Sequence, residues 1–355
     1  MSPFDEIGSE YWKVDTDNKI ENIINNAVFT ASGRSAHSLI IESADIKNRR
    51  ALLPAYTCQH IVEPFAWTGW EVGYYGIHND LTIELDSLKL GIEKAPGCII
   101  VQSYYGFHTT KQANPLFKQA QAAGIIIIED ITHSFLSGWS PSYKKADYQF
   151  CSLRKWTGLT DGGYALSLYK NKLKKPLAKM ESFVSHRSNA QVMKRKYITE
   201  GDPKYKEEFL KLFKQAEDLL DGDIAVYSMS EAAKTAFSHI DFDYIKNKRQ
   251  ENYNYLQRNI ASDYVKPLFG ELADETCPIM FPVYIERGRS ELRQRLIDNR
   301  IYCPIHWPAP IQLTPEAKAN SRAIYNNIMS LPCDQRYGIE DMQRLVDIVN
   351  TFSIE

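Results

Sequence analysis

Residues 98–130 read CIIVQSYYGFHTTKQANPLFKQAQAAGIIIIED, and their pattern decides the fold class. The run 98–103 is short and nearly all apolar, as in a strand buried on both faces. After a gap, Asn114 suits a helix N-cap and Pro115 the first helical position. Leu116, Phe117 and Ala120 then share one face, and Gly124 can end the helix. A second apolar run, Ile125–Ile128, leads into Glu129 and Asp130. Strand, helix and strand with short connections predict a βαβ unit and a mostly parallel sheet, an α/β fold. In open sheets of this kind ligands bind beyond the carboxyl ends of the strands, where Asp130 falls. The plainer reading of Asp130 is a cap for the next segment.

Outward from this unit, 355 residues at 44% hydrophobic composition imply a large domain and a smaller one. Residues 204–222 and 230–258 read as helical. Residues 278–307 read strand, helix, strand, and 339–352 form a last amphipathic helix. We expect a large domain over 1–245 and a small C-terminal α/β domain over 246–355. The net charge of −2 and the lack of a basic run interleaved with aromatics argue against nucleic acid as a partner. The N-terminus is polar, and no apolar stretch approaches the roughly 20 residues of a membrane helix, so the expectation is a cytoplasmic protein without membrane contact. Six cysteines without a C-x-x-C pair read as free thiols, with no zinc or other metal site.

Three stretches carry candidate chemistry. In TASGRSAHSLIIESA (30–44), Gly33 precedes a helical pattern, and a helix N-terminus with small residues suits an anion such as phosphate. It is neither a Walker loop nor a dinucleotide fingerprint. In IIIIEDITHSF (125–135), His133 follows Asp130 by three positions. In CSLRKWTGLTDGG (151–163), Ser152 and Lys155 precede a glycine pair. Taken singly these are a helix cap, a packed histidine and a solvated lysine. Together, a phosphate cradle, an aspartate at a strand end and a lysine some 25 positions later meet the needs of pyridoxal phosphate (PLP).

These stretches resemble the DegT/DnrJ/StrS family of PLP-dependent sugar aminotransferases. SGRSAHSLI (32–40) is similar to its N-G-T-x-A-L segment, and LLPAYTCQHIVEPFAWTGWEVGYYGI (52–77) to its P-x-x-T-[FW]-x-A-T region. QSYYGFH (102–108) is similar to V-H-L-Y-G, and IIIIEDITHSF to V-I-E-D-A-A-[QH]-A. SLRKWTGLTDGGYAL (152–166) resembles F-S-F-x-x-x-K-x-L-T-x-G-E-G-G. YCPIHWP (302–308) and SLPCDQRYGIEDMQRLVDIV (330–349) resemble H-Y-P-x-P-x-H and L-S-L-P-x-x-P-x-L-T-x-E-D. The resemblance implies a fold type I PLP-dependent transferase and a homodimer. It implies transfer of an amino group from an amino acid donor, glutamate, to a nucleotide-linked keto-sugar acceptor.

By the same resemblance Lys155 is the Schiff-base lysine, and Asp130 pairs with the pyridine nitrogen. Thr132 lies under the ring and His133 beside it. Gly33, Arg34 and Ser35 form the phosphate cradle, with Ser152 as a hydroxyl donor. Cys58 falls where the family has an aromatic residue stacked on the ring, so stacking is lost or comes from Tyr56. Ser152 precedes Lys155 by three positions instead of five, and Arg154 adds an unexpected cation. The family's G-Y-N-Y-R-M segment is IAVYSM (224–229), with Val226 in the asparagine's place. His306 and Tyr302 are candidates either for lining the substrate pocket or for packing between domains. Other readings are a PLP-fold protein with a degenerate site that binds or regulates, a PLP enzyme acting on a non-sugar substrate, and a Rossmann oxidoreductase. The lysine itself argues against a sugar dehydratase, where the family has histidine.

Overall fold

The computed structural model describes residues 6–137, 146–169 and 172–354; the first five residues of the polar N-terminus lie outside them. The chain forms two compact units. One contains Glu10–Asp45 and Tyr148–Asp241, and the other Glu6–Ser9, Ile46–Asp147 and Phe242–Glu355. This is a partition by compactness, and the division at residue 245 remains our proposal for the domains.

In the second unit four strands run parallel in the order Glu71–Tyr75, Arg50–Pro54, Cys98–Gln102, Ile126–Asp130. The last two are the strands expected from the apolar runs, and every residue in both is buried. Between them lies the helix Asn114–Ala122. Its cap differs from expectation. A 3-10 turn over Lys111–Ala113 already carries αR backbone into Asn114 (φ −52°, ψ −41°), so Asn114 cannot take the extended conformation an N-cap needs. Gly124 ends the connection at φ +83°, a conformation open to glycine without a Cβ penalty. The register pairs Gln102 with Asp130, so both side chains emerge on the same face at the carboxyl ends of their strands.

The later part of this unit is a three-stranded antiparallel sheet in the order Ile328–Leu331, Phe281–Ile285, Val265–Pro267. It is covered by the helices Phe242–Asn259, Arg289–Asp298 and Ile339–Asn350, whose Leu256, Leu292, Leu296, Leu345 and Val349 join Phe281 and Val283 in one core. The strand expected over 301–307 is only Ile301–Tyr302, paired with Ile7–Gly8. Pro304 and Pro308 have no N–H to extend the ladder.

In the first unit the strands Val28–Thr30, Gly163–Ser167 and Tyr148–Ser152 are antiparallel. The helices Glu181–Glu200 and Pro203–Asp221 pack together through Ala190, Tyr197, Phe209 and Phe213. The helical stretch expected over 230–258 is two helices, Glu231–Ser238 and Phe242–Asn259. The break occurs where Ile240 is buried and pairs with Thr16. The α/β class and the prevalence of parallel strands agree with the sequence-based expectation.

The helix Gly33–Ser43 packs on the antiparallel strands, and His37 stacks on Phe150 with ring centroids 4.7 Å apart. Glycine makes the approach possible. A Cβ on Gly163 would lie 2.5 Å from the Ser32 carbonyl carbon and oxygen and 2.7 Å from the Gly33 nitrogen. Gly163→Ala is therefore expected to cost about 1–3 kcal/mol in urea unfolding, because backbone and not a flexible side chain must move. An unchanged urea midpoint would refute this reading of the glycine.

Burial alone lowers the His37 pKa to about 3 from its ordinary 6.5. The neutral ring is favoured in the folded protein, so its contribution is fully present above pH 6.5 and is lost as pH falls from there toward 3. The urea midpoint should fall measurably between pH 7 and 5. Histidine-to-phenylalanine replacement at 37 should flatten that decline.

Candidate functional site

In the first unit the helix Gly33–Ser43 begins with a side-chain cap, the Ser35 N–H donating to Ser32 Oγ at 3.1 Å. The first amides of a helix point out of its positive end. A Cβ at Gly33 would come within 2.8 Å of the Ser152 Cβ, so the helix start and the end of the strand Tyr148–Ser152 are in close contact. A 3-10 turn, Leu153–Lys155, follows directly and places Lys155 one turn beyond Ser152. Lys155 is exposed on the single chain. The structure thus brings together Gly33, Ser152 and the turn that carries Lys155.

Two other expected cradle residues use their side chains elsewhere. The Arg34 guanidinium donates to the Leu220 carbonyl and pairs with Asp221 at 3.1 Å. The Ser35 hydroxyl donates to the Ala225 carbonyl at 3.1 Å. Both fasten the helix start to the end of the helix Pro203–Asp221 and the segment after it. What Arg34 can offer an anion there is its backbone N–H.

Arg154 is also committed. It pairs with Glu217 at 2.9 Å, and Arg187, buried, pairs with the same Glu217 at 2.7 Å and with Glu10 at 3.0 Å. Burial raises the Glu217 carboxyl, but Arg154, Arg187 and the more distant Lys155 outweigh it and bring the pKa to about 2. This carboxylate stabilises the fold fully above its ordinary pKa near 4.5, and the contribution is lost as pH falls from there through about 2. Glu217→Gln should cost about 1–2 kcal/mol in urea unfolding at pH 7, less than for a fully buried pair because the side chain is 40% exposed. No loss at pH 7 would count against the pairing.

On the same unit, Ser228 donates to the Ala178 carbonyl at 3.2 Å and the Tyr227 hydroxyl to Asp223 at 2.6 Å. Ser228 also lines an open cleft of about 430 Å³ with Lys179, Ser185, Asn189 and Glu231.

In the second unit Asp130 is buried at its strand end, and its Oδ1 accepts the Thr132 N–H at 2.9 Å. That bond fixes the carboxylate. Gln102, its register partner, has a buried Oε1 with no hydrogen-bond partner among the described residues. The Tyr105 N–H donates to His133 Nδ1 at 3.3 Å. A ring nitrogen that accepts carries no proton, so His133 is neutral with its hydrogen on Nε2, a donor.

Cys58 is the N-cap of the helix Gln59–Ala66, half-buried and without a side-chain cap bond. Tyr56 is fully buried among Tyr104, Trp307 and Tyr325, and its hydroxyl donates to the His306 carbonyl. Its ring face is therefore part of the core, not an exposed platform. Trp307 in this unit is partly exposed and lies 5.2 Å from His133 by centroids. Sequence reasoning passed over Trp307 and Ser330, although both lie in the segments quoted above. Tyr302 reaches Glu6 at 3.4 Å, beside the short strand pair.

Among curated proteins, none matches this sequence. The model of the DegT/DnrJ/EryC1/StrS aminotransferase family matches residues 22–150. The fold is that of solved sugar aminotransferases. The sugar aminotransferase CalS13 from Micromonospora echinospora is 15% identical at a TM-score of 0.63, over 92% of this chain and 87% of that one. The PLP-form of Spr1654 from Streptococcus pneumoniae, a sugar aminotransferase by similarity, is 16% identical at a TM-score of 0.65, over 92% and 86%. DesI, solved in the presence of its TDP-sugar product, is 14% identical at a TM-score of 0.65, over 98% and 94%. Spr1654 has also been solved in a PMP-form. The match over 22–150 and the shared fold agree with the resemblance seen in the sequence. Among the described residues no helix is long and apolar enough to cross a membrane.

Proposed function

We propose that this protein is a PLP-dependent aminotransferase that moves an amino group from an amino acid, glutamate, to a nucleotide-linked keto-sugar, working as a homodimer in the cytoplasm. The single observation that carries the reading is the contact of Gly33 with Ser152, one turn ahead of Lys155. A positive helix end beside a hydroxyl suits a phosphate dianion. The family match over 22–150 and the TDP-sugar product of DesI support the substrate class.

In this reading the amides of Gly33 and Arg34 and the Ser152 hydroxyl hold the phosphate. Asp130, its carboxylate fixed by the Thr132 N–H, keeps a proton on the ring nitrogen. His133, a donor at Nε2, would suit the cofactor's ring oxygen, and Thr132 would lie against the ring. When bound, PLP supplies an electrophilic carbon and an electron-withdrawing ring. Lys155 would be the residue that holds the cofactor through its amine. Its amine would take the proton from the donor's Cα and return one to the acceptor's carbon. A free amine is needed at both moments.

The purified protein should be yellow. Borohydride should fix the cofactor to Lys155, identified by peptide mass spectrometry, and glutamate should bleach the colour before reduction. Lys155→Ala should lose the adduct and at least 100-fold of the activity, as expected when a general acid–base residue is removed. An adduct at another lysine would overturn the assignment.

The core position of Tyr56 and the cysteine at 58 favour one second reading, a protein that binds PLP without transaminating. Colour that no amino donor bleaches would select it.

A further inference from the structure

Two neighbouring parallel strands end on an amide and a carboxylate. Gln102 and Asp130 are the last residues of Cys98–Gln102 and Ile126–Asp130, and they are register partners. Paired residues on adjacent strands lie about 5 Å apart and point to the same face. Both are almost wholly buried, Gln102 at 3% exposure and Asp130 at 4%. The carboxylate accepts the Thr132 N–H, whereas the amide Oε1 is buried with no hydrogen-bond partner among the described residues. An amide oxygen removed from water and given no donor destabilises a fold, and an apolar side chain of the same length avoids that cost. The rest of this strand, Cys98, Ile99, Ile100 and Val101, is apolar. The exception falls at the carboxyl end, where ligands of such sheets bind, so the orphaned oxygen points to a ligand atom that donates.

We infer that Gln102 is a further cofactor-binding residue, its Oε1 serving as a second, neutral acceptor for the protonated ring nitrogen beside the Asp130 carboxylate. The phosphate and the deprotonated ring oxygen of PLP only accept, and so give Oε1 nothing to bind; the protonated ring nitrogen donates. A neutral acceptor also fits the position better than a second acid. Two carboxylates on paired residues would repel, and one of them would take up a proton. An amide oxygen adds negative potential at the cationic edge of the ring and does not itself titrate. The choice of the ring nitrogen rests on the proposed PLP chemistry; the missing protein donor at Oε1 does not.

The test compares the full chain, freed of PLP, with Gln102→Met, an unbranched apolar side chain of similar length; Gln102→Leu takes its place if the methionine variant fails to fold. Without cofactor the urea midpoint of Q102M should equal or exceed that of wild type, because no protein hydrogen bond is lost. Titration with PLP, followed by quenching of tryptophan fluorescence, should show binding at least about 10-fold weaker in Q102M, the size of one lost hydrogen bond to a charged group. Titration with 1-deaza-PLP, in which a C–H replaces the ring nitrogen, should give the same affinity in both proteins. A lowered midpoint in both variants overturns the inference, and so does equal PLP affinity in wild type and Q102M. An equal loss with both compounds overturns it as well, and is the result expected if Oε1 binds only water. Equal PLP affinity leaves the proposed function standing, whereas a wild-type protein that binds no PLP overturns that function and the role of Gln102 together.

Discussion

The approach of three glycine-bearing or small-residue segments controls what the first unit can do. Gly163 lies against the Ser32–Gly33 backbone, and Gly33 lies against Ser152, each closer than a Cβ would permit. Through these contacts the strands Tyr148–Ser152 and Gly163–Ser167 pack directly on the start of the helix Gly33–Ser43. The packing brings a positive helix end to a serine hydroxyl and sets the following turn. A methyl group at either glycine would separate the elements and dissolve the cradle geometry before any catalytic side chain was altered.

Charge around this contact is handled by pairing. Arg154, one residue before the candidate lysine, would repel an ammonium if left unpaired. Instead Glu217 takes both Arg154 and Arg187, and the aromatic ring of Phe183 covers the Arg154 guanidinium at 5.1 Å. The cation that was unexpected in the sequence is held in this ion pair and against this ring. Arg34 is turned to a similar purpose at the end of the helix Pro203–Asp221.

In the second unit polar groups are directed by bonds from backbone and hydroxyls. Thr132 fixes Asp130, and Tyr105 fixes the His133 tautomer. Tyr105 binds His133 through its N–H and Ser330 through its hydroxyl oxygen, and does so from a left-handed backbone at φ +56° followed by Gly106 at +93°. An L-residue seldom takes that conformation, and the bonds at both ends of the tyrosine supply a physical reason to hold it there.

The apolar runs 98–103 and 125–128, with Gly124 between helix and strand, suffice to specify parallel strands, because burial on both faces and a forced positive φ are local demands. The order of Gly33, Asp130, Ser152 and Lys155 likewise carries the cofactor chemistry in one dimension. The sequence could not tell that Arg34, Ser35 and Arg154 turn their side chains to the 217–225 segment, since ion-pair partners some 60 to 190 positions away are chosen only when the chain packs. It could not show that Tyr56 is core while Trp307 is partly exposed, because either aromatic satisfies the same pattern until neighbours are placed. Local periodicity thus determined the elements and the residue types at the site; the direction of each side chain was decided by long-range packing that no single stretch encodes.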